Sequence, residues 1–372
     1  MTIANQIIRP TLLVDETRAR ANIMEMTRRA RSSGVTFRPH FKTHQSIEVG
    51  RWYRDAGVEA ITVSSASMAE YFATDGWKDI LIASPINVRE LARLEQLAES
   101  IRLHVTVDSV TAVCHLAKGR FAKLAVWIEI DSGDHRTGID TSDRPALERV
   151  ARQVMEANGL ELAGLIAHDG HTYGVETPSD VAPVYEKTVR CLADLRSWIE
   201  PIVGQKLRLS VGDTPSGKLV EDHSGVDEIR PGNFVFGDLC QLSIGSCRED
   251  EIAVLLAAPV VSKSGIRREI VLHGGAVHLS KDWLLAPNGR AIFGRIAPLT
   301  DTGWGPSLPD CYVSRVSQEL SVIQASDALF ESVEIGDLVG VLPIHSCLTV
   351  NAMRSMRTLD GRTISCMLGE HA

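Results

Sequence analysis

Residues 39–44 read PHFKTH, a lysine between two histidines just past the strand-like run Val35-Thr36-Phe37-Arg38. A lone lysine at a strand end is most often a solvated cation. At an enzyme's catalytic face, an amine whose charged form is disfavoured can join a carbonyl as a Schiff base, and Lys42 is that candidate. A second run, PIHSCLTVN (343–351), sets His345 and Cys347 two apart. In an extended strand their side chains share a face, and an imidazole beside a thiolate suits Zn²⁺. Two protein ligands leave positions for water and substrate. The plainer alternative is a buried cysteine beside a polar strand residue. HGGAVHLSKDW (273–283) has the same ambiguity, since His273 and His278 either line a site or decorate a hairpin.

Other runs carry polar groups at turns. VGDTPSG (211–217) enters a helix and offers free backbone N–H groups to a phosphate. The same run reads as an ordinary turn with Thr214 as N-cap and Pro215 at the first helical position; both readings hold at once. EIRPGN (228–233) supplies Arg230 for an acidic or ring-nitrogen acceptor, and Gly232 for close backbone approach to a phosphate. DSGDHRTG (131–138) contains Asp131 and Arg136, and HDGHTYG (168–174) contains His168, His171 and Tyr173. Such a cluster serves as metal ligands, acid–base groups or a stacking surface.

The elements that position these groups are continuous apolar runs alternating with helical patterns. Strands are expected at 34–41, 58–65, 79–84, 101–109, 123–131, 160–170, 206–213 and 226–233. Helices are expected at 144–159, closed by a glycine, and at 184–200. Eight such strands suggest an α/β fold of the (β/α)8 TIM-barrel type, with a doubly wound sheet as competitor. The polar residues favour the barrel, because they fall at C-terminal strand ends, where barrel enzymes carry their chemistry. From residue 248 the pattern turns β-rich, and a separate all-β domain is expected. The expected division is a barrel over 18–247 and a β-domain of 1–17 plus 248–372, with the early run TLLVD (11–15) pairing into the latter.

The 372 residues are 44% hydrophobic, enough for two sizeable cores. A net charge of −8 argues against nucleic acid or an anionic membrane as partner. The longest apolar stretch, 253–261, is too short to span a bilayer. Seven cysteines without framework spacing and an N-terminus without a secretory pattern lead to the expectation of a cytoplasmic protein.

Taken together and in order, PHFKTH, HDGHTYG, IRPGNFVFGD, HGGAVHLSKDW and PIHSCLTVN resemble the D-threonine aldolase and D-serine dehydratase family. These are pyridoxal-phosphate enzymes of the alanine racemase fold type (fold type III), a barrel followed by a C-terminal all-β domain. The resemblance implies that Lys42 is the Schiff-base lysine and general base. Gly212, Asp213 and Thr214 would cradle the phosphate, with Gly232 and Asn233 as a second wall. Arg136 would lie near the cofactor ring or its phenolic oxygen, and Arg230 would face the pyridine nitrogen. His171 or Tyr173 would position the substrate, and His345 and Cys347 would hold the divalent metal. In the aldolase branch the second metal ligand is acidic, in a run like HCDPTVN. HSCLTVN, with Cys347 there, is similar to the dehydratase branch and points to Zn²⁺. The expected reaction converts a D-3-hydroxy amino acid, D-serine or 3-hydroxy-D-aspartate, to a 2-oxo acid and ammonia. An aldolase giving glycine and an aldehyde is the alternative, and a non-catalytic pyridoxal-phosphate-binding protein is the alternative of another class. Family enzymes imply a homodimer.

Overall fold

The computed structural model describes residues 6–286 and 289–367. The apolar runs form eight parallel strands: Thr36–Phe37, Ala60–Val63, Asp79–Pro85, Arg102–Val107, Leu124–Asp131, Leu160–Ala167, Arg208–Val211 and Glu228–Ile229. Each pairs with its neighbour in the series, and Thr36 and Phe37 of the first lie opposite Glu228 and Ile229 of the last. The ring closes where His40 bridges Thr62 in parallel. There the Phe41 N–H donates to Thr62 O and the Thr62 N–H to Pro39 O, both at 2.9 Å. A closed parallel ring with helical crossovers is a (β/α)8 barrel, which excludes the doubly wound sheet with its two open edges.

The first and last strands are much shorter than expected at 34–41 and 226–233. Proline is the reason: Pro39 and Pro231 have no N–H for the ladder. Single bonds hold the two chains beyond it, Arg38 N–H to Ile229 O and His40 N–H to Pro231 O, each 3.0 Å. The helix Arg144–Glu156 is capped by Asp143, which accepts from Ala146 N–H at 2.9 Å, and buries Leu147, Val150, Ala151 and Val154 on one face. It stops before Gly159, which lies so close to Phe121 that a Cβ there would come 2.1 Å from the Phe121 carbonyl oxygen. The next helix, Val181–Val203, overruns the expected 184–200 and ends on left-handed Gly204 (φ 70°).

The chain separates into two compact units. Among the described residues, the barrel unit comprises 24–42 and 53–232; the other comprises 6–23, 43–52, 233–286 and 289–367. In the second unit the strand Thr11–Val14 pairs antiparallel with 254–257 and parallel with 357–358. The long strand Val254–Ser264 pairs with both Glu269–His273 and Leu338–Pro343, so that part of the sheet closes on itself around Leu256, Ile270, Val313, Ile323 and Val341. Among the described residues no helix is long and apolar enough to cross a membrane.

A chain of polar side chains crosses the barrel interior. Arg38 is 2% exposed; its guanidinium bonds Glu228 Oε2 at 3.1 Å and also bonds Asp79. Asp79 lies 3.2 Å from His104 Nε2, and His104 Nδ1 accepts from Trp127 Nε1–H at 3.1 Å. On the other side Ser210 Oγ donates to Glu228 Oε1 at 2.7 Å and accepts from Arg230 Nη1 at 2.5 Å. Burial alone would raise the pKa of both carboxyls. The Arg38 charge at Glu228, and the His104 bond with the Arg38 charge at Asp79, outweigh it and hold both groups below the ordinary range. Their share of stability is therefore present above the unfolded value of about 4 and is lost as pH falls below it through the lower folded-state values. Arg38→Met, which strands two carboxylates, is expected to cost about 3–5 kcal/mol in urea unfolding at pH 7. That gap should narrow below about pH 4; a loss under about 1 kcal/mol would contradict the assignment.

Candidate active site

Lys42 lies in the turn that follows the first barrel strand. Its neighbour Phe41 points inward, with ring centroids 4.9 Å from Tyr53, 4.9 Å from Phe72 and 5.2 Å from Trp77. That anchor leaves Lys42 on the exposed side, its backbone N–H donating to His40 Nδ1 at 3.3 Å. Burial holds the His40 imidazole well below its ordinary pKa, and the charges of Lys42, Arg230, His168 and Arg136 push it further. Burial likewise takes His168 down to about 3, against a 2.5 Å contact between its Nδ1 and Gly212 O. Side chains from the ends of the first, fifth, sixth and eighth strands thus converge at the C-terminal end of the ring, and both imidazoles are neutral at pH 7. Arg230 is buried, and its Nη2 donates to Ala167 O at 2.7 Å. Arg136 is exposed, 3.8 Å from Asp134.

The turn after the seventh strand approaches the eighth so closely that a Cβ on Gly212 would sit 2.6 Å from Arg230 Cβ and 2.9 Å from its backbone. Glycine is required there. Asp213, not Thr214, caps the short helix Thr214–Leu219, accepting from Ser216 N–H at 2.7 Å. Aspartate wins because its carboxylate reaches the N3 donor while also lying 3.0 Å from Thr172 Oγ1. Burial and the Asp169 charge push its pKa up to about 7. The Asp213 side chain thus serves the turn. Thr214 Oγ1 is buried with no hydrogen-bond partner among the described residues. That orphaned hydroxyl, beside a backbone only glycine permits, fits an added phosphate. Tyr173 Oη accepts from Thr214 N–H at 3.3 Å, and half-buried His171 has an Nδ1 without a partner among the described residues. Gly232 is buried and ends the barrel unit.

Asn233 belongs to the other unit. Its amide donates to Asp238 Oδ2 at 2.7 Å and its carbonyl accepts from Ser346 Oγ at 2.8 Å. There the run PIHSCLTVN differs from the expected strand. The strand stops at Pro343, and His345 is the N-cap of the helix Ser346–Met353, with Cys347 in its first turn. Asp238 forces the turn: its Oδ2 accepts from Ser346 N–H at 2.8 Å while its Oδ1 accepts from Gln241 N–H at 2.9 Å. His345 and Cys347 still converge, through helical rather than strand geometry. Burial alone would lower the His345 pKa. Its hydrogen bond to Cys347 and the charges of Cys347 and Asp238, with the bond to Asp282, raise it to about 9. His345 Nδ1 lies 2.9 Å from Asp282 Oδ2, which turns Nε2 toward the thiol side. Cys347 Sγ is 3.3 Å from Thr43 Oγ1. One imidazole nitrogen fixed by an outer carboxylate, plus one sulfur, is a donor set that fits a borderline divalent cation.

Residues 14–240 match the family model for "Alanine racemase, N-terminal domain", and 253–359 match "Putative serine dehydratase domain". The chain is similar to the D-threo-3-hydroxyaspartate dehydratase of Delftia sp. (strain HT23), at 30% identity over 354 residues and 91% of each chain. It is also 30% identical to the D-serine dehydratase of Dictyostelium discoideum, over 93% of this chain and 91% of that one. The solved structure of the Delftia enzyme superposes with a TM-score of 0.91 at 27% identity, covering 99% of this chain and 100% of that one. The chain belongs to the D-serine dehydratase-like family of the alanine racemase fold. A structure of a D-threo-3-hydroxyaspartate dehydratase with a cysteine-to-alanine substitution is described as the metal-free form (TM-score 0.91, 26% identity, 100% of each chain).

Several residues at the family site escaped the sequence reading. Glu129, from the fifth strand, is a buried carboxyl whose pKa burial raises, against Thr137, Arg136 and Arg230. Asp282 stands within a quoted histidine run, but no spacing rule links it to His345 at a separation of 63 residues. Asp238 and Thr43 are equally remote from their partners in sequence. As a metal site, the pair predicts that Cys347→Ala loses the cation while cofactor absorbance remains. Asp282→Asn should weaken metal affinity about 10–100-fold in equilibrium dialysis; unchanged affinity would contradict an orienting role for Asp282.

Proposed function

We propose that the protein is a pyridoxal-phosphate- and divalent-metal-dependent dehydratase that converts a D-3-hydroxy amino acid to a 2-oxo acid and ammonia. D-serine and 3-hydroxy-D-aspartate are the proposed substrates. The observation that carries the reading is Cys347 beside His345, a sulfur where the aldolase branch has a carboxylate. Sulfur with imidazole favours Zn²⁺ as the cation. The similarity to two dehydratases over nine-tenths of the chain supports the same choice.

Bound pyridoxal phosphate supplies an electron sink for a carbanion at Cα, and the cation supplies a Lewis acid for the β-hydroxyl. Lys42 would join the cofactor, and its Nζ would accept the Cα proton. Thr214 Oγ1 and the backbone at Gly212 and Gly232 would hold the phosphate. Arg230, fixed by Ser210 and Ala167, would donate toward the ring nitrogen, keeping positive charge on the protein side. His345 Nε2 and Cys347 Sγ would hold the cation, with Asp282 orienting the imidazole. His171 and Tyr173 would position the substrate, and Arg136 would lie by the ring. The same reading takes the enzyme as a cytoplasmic homodimer, supported by seven cysteines that are all free thiols.

Product analysis tests the proposal. Protein supplied with pyridoxal phosphate and Zn²⁺ is offered D-serine, D-threonine and the 3-hydroxyaspartate stereoisomers separately. Keto acid with equimolar ammonia is the expected outcome. Glycine with an aldehyde would mean an aldolase with an unusual metal ligand.

A further inference from the structure

The two histidines of HGGAVHLSKDW remain outside the site just described, and the fold brings them together with a third donor. His273 ends the strand Glu269–His273, opposite Leu320 at the start of the strand Leu320–Gln324. The chain then folds over the turn that joins Leu320 to the preceding strand. Gly274 N–H donates to Glu319 O at 2.9 Å, Ala276 N–H to Ser317 O at 2.8 Å and Val277 N–H to Gln318 O at 3.1 Å. A Cβ on Gly275 would lie 2.5 Å from Leu320 N and Ser317 O and 2.6 Å from Gln318 O, so this approach requires glycine. The fold-back returns His278 over His273, their ring centroids 5.7 Å apart at 89°. Ligand atoms of His273, His278 and Glu319 all lie within 4.8 Å of one another.

One group in this cluster lacks what it needs. His278 Nδ1 is buried without a hydrogen-bond partner among the described residues, a condition native proteins rarely tolerate. Two imidazoles and one carboxylate form a donor set suited to Zn²⁺ and its neighbours, and poorly suited to Ca²⁺ or Mg²⁺. Bonds of about 2.0–2.2 Å need donor separations of roughly 3.3–3.6 Å, so the three side chains would close in by about 1 Å on binding.

We propose that His273, His278 and Glu319 form a second divalent-metal site, for Zn²⁺ or a similar borderline cation, with its remaining positions open to water. Its place in the chain gives it a role. His278 is four residues before Asp282, the partner of His345, so a cation there pins the segment that carries Asp282. The existence of the site does not rest on the reaction proposed above.

The test is zinc stoichiometry of the full-length, cofactor-loaded protein after equilibrium dialysis against Zn²⁺. Wild-type protein is expected to bind two per chain and Cys347→Ala one. Adding His278→Gln to Cys347→Ala should abolish the remaining ion. Glu319→Gln, at an exposed position that folding tolerates, should weaken it about tenfold or more. An ion that survives Cys347→Ala and is lost with His278→Gln supports this site whatever becomes of the Cys347 reading. No zinc in Cys347→Ala, or an ion in that background unaffected by both His278→Gln and Glu319→Gln, would overturn it.

Discussion

The barrel depends on one buried guanidinium. Its first and last strands have only two paired residues each, too few backbone bonds to fix a register alone. Arg38, clamped between Glu228 and Asp79, fixes it from inside the ring. The same short segments lead into residues proposed for the chemistry: Lys42 is four residues beyond Arg38, and Arg230 two beyond Glu228. A shift of either strand that broke the clamp would move those groups, and a one-residue slip would turn them to the other face. Ser210 extends the constraint by holding Arg230 directly. A buried charge cluster of this kind contributes little net stability, and it is kept here where it sets geometry at the catalytic end of the ring.

The barrel was legible in the sequence because parallel strands covered on both faces read as unbroken apolar runs. Runs such as LAVWIEID and LELAGLIA need no partner to be recognised. Strand lengths near Pro39 and Pro231 were less legible, because proline ends a ladder without changing the apolar pattern around it. The PHFKTH turn was legible as unusual through its composition. What sets Lys42 on its exposed side is the burial of Phe41 among Tyr53, Phe72 and Trp77, which no local pattern states.

At HSCLTVN the sequence pointed to a strand where the structure has a helix. His345 and Cys347, two apart, read as sharing one face of an extended strand. A helix forms instead because Asp238, more than a hundred residues earlier, accepts the Ser346 N–H, while Asn233 takes its hydroxyl. The Asp213 cap shows the same thing at shorter range, since Thr214 and Asp213 both have capping chemistry and Thr172 tips the balance. In each case a tertiary hydrogen bond overrode local propensity. The orienting residues Asp282 and Asp238 were illegible for the same reason: their roles depend on partners far along the chain.

The central claim is that the lysine held out by the Phe41 anchor is the one that joins the cofactor. Protein loaded with pyridoxal phosphate, reduced with borohydride and mapped by peptide mass spectrometry tests this without requiring turnover. A reduced phosphopyridoxyl adduct is expected on the peptide containing Lys42, and none there in Lys42→Ala. A stoichiometric adduct on another lysine, with Lys42 unmodified, would contradict it.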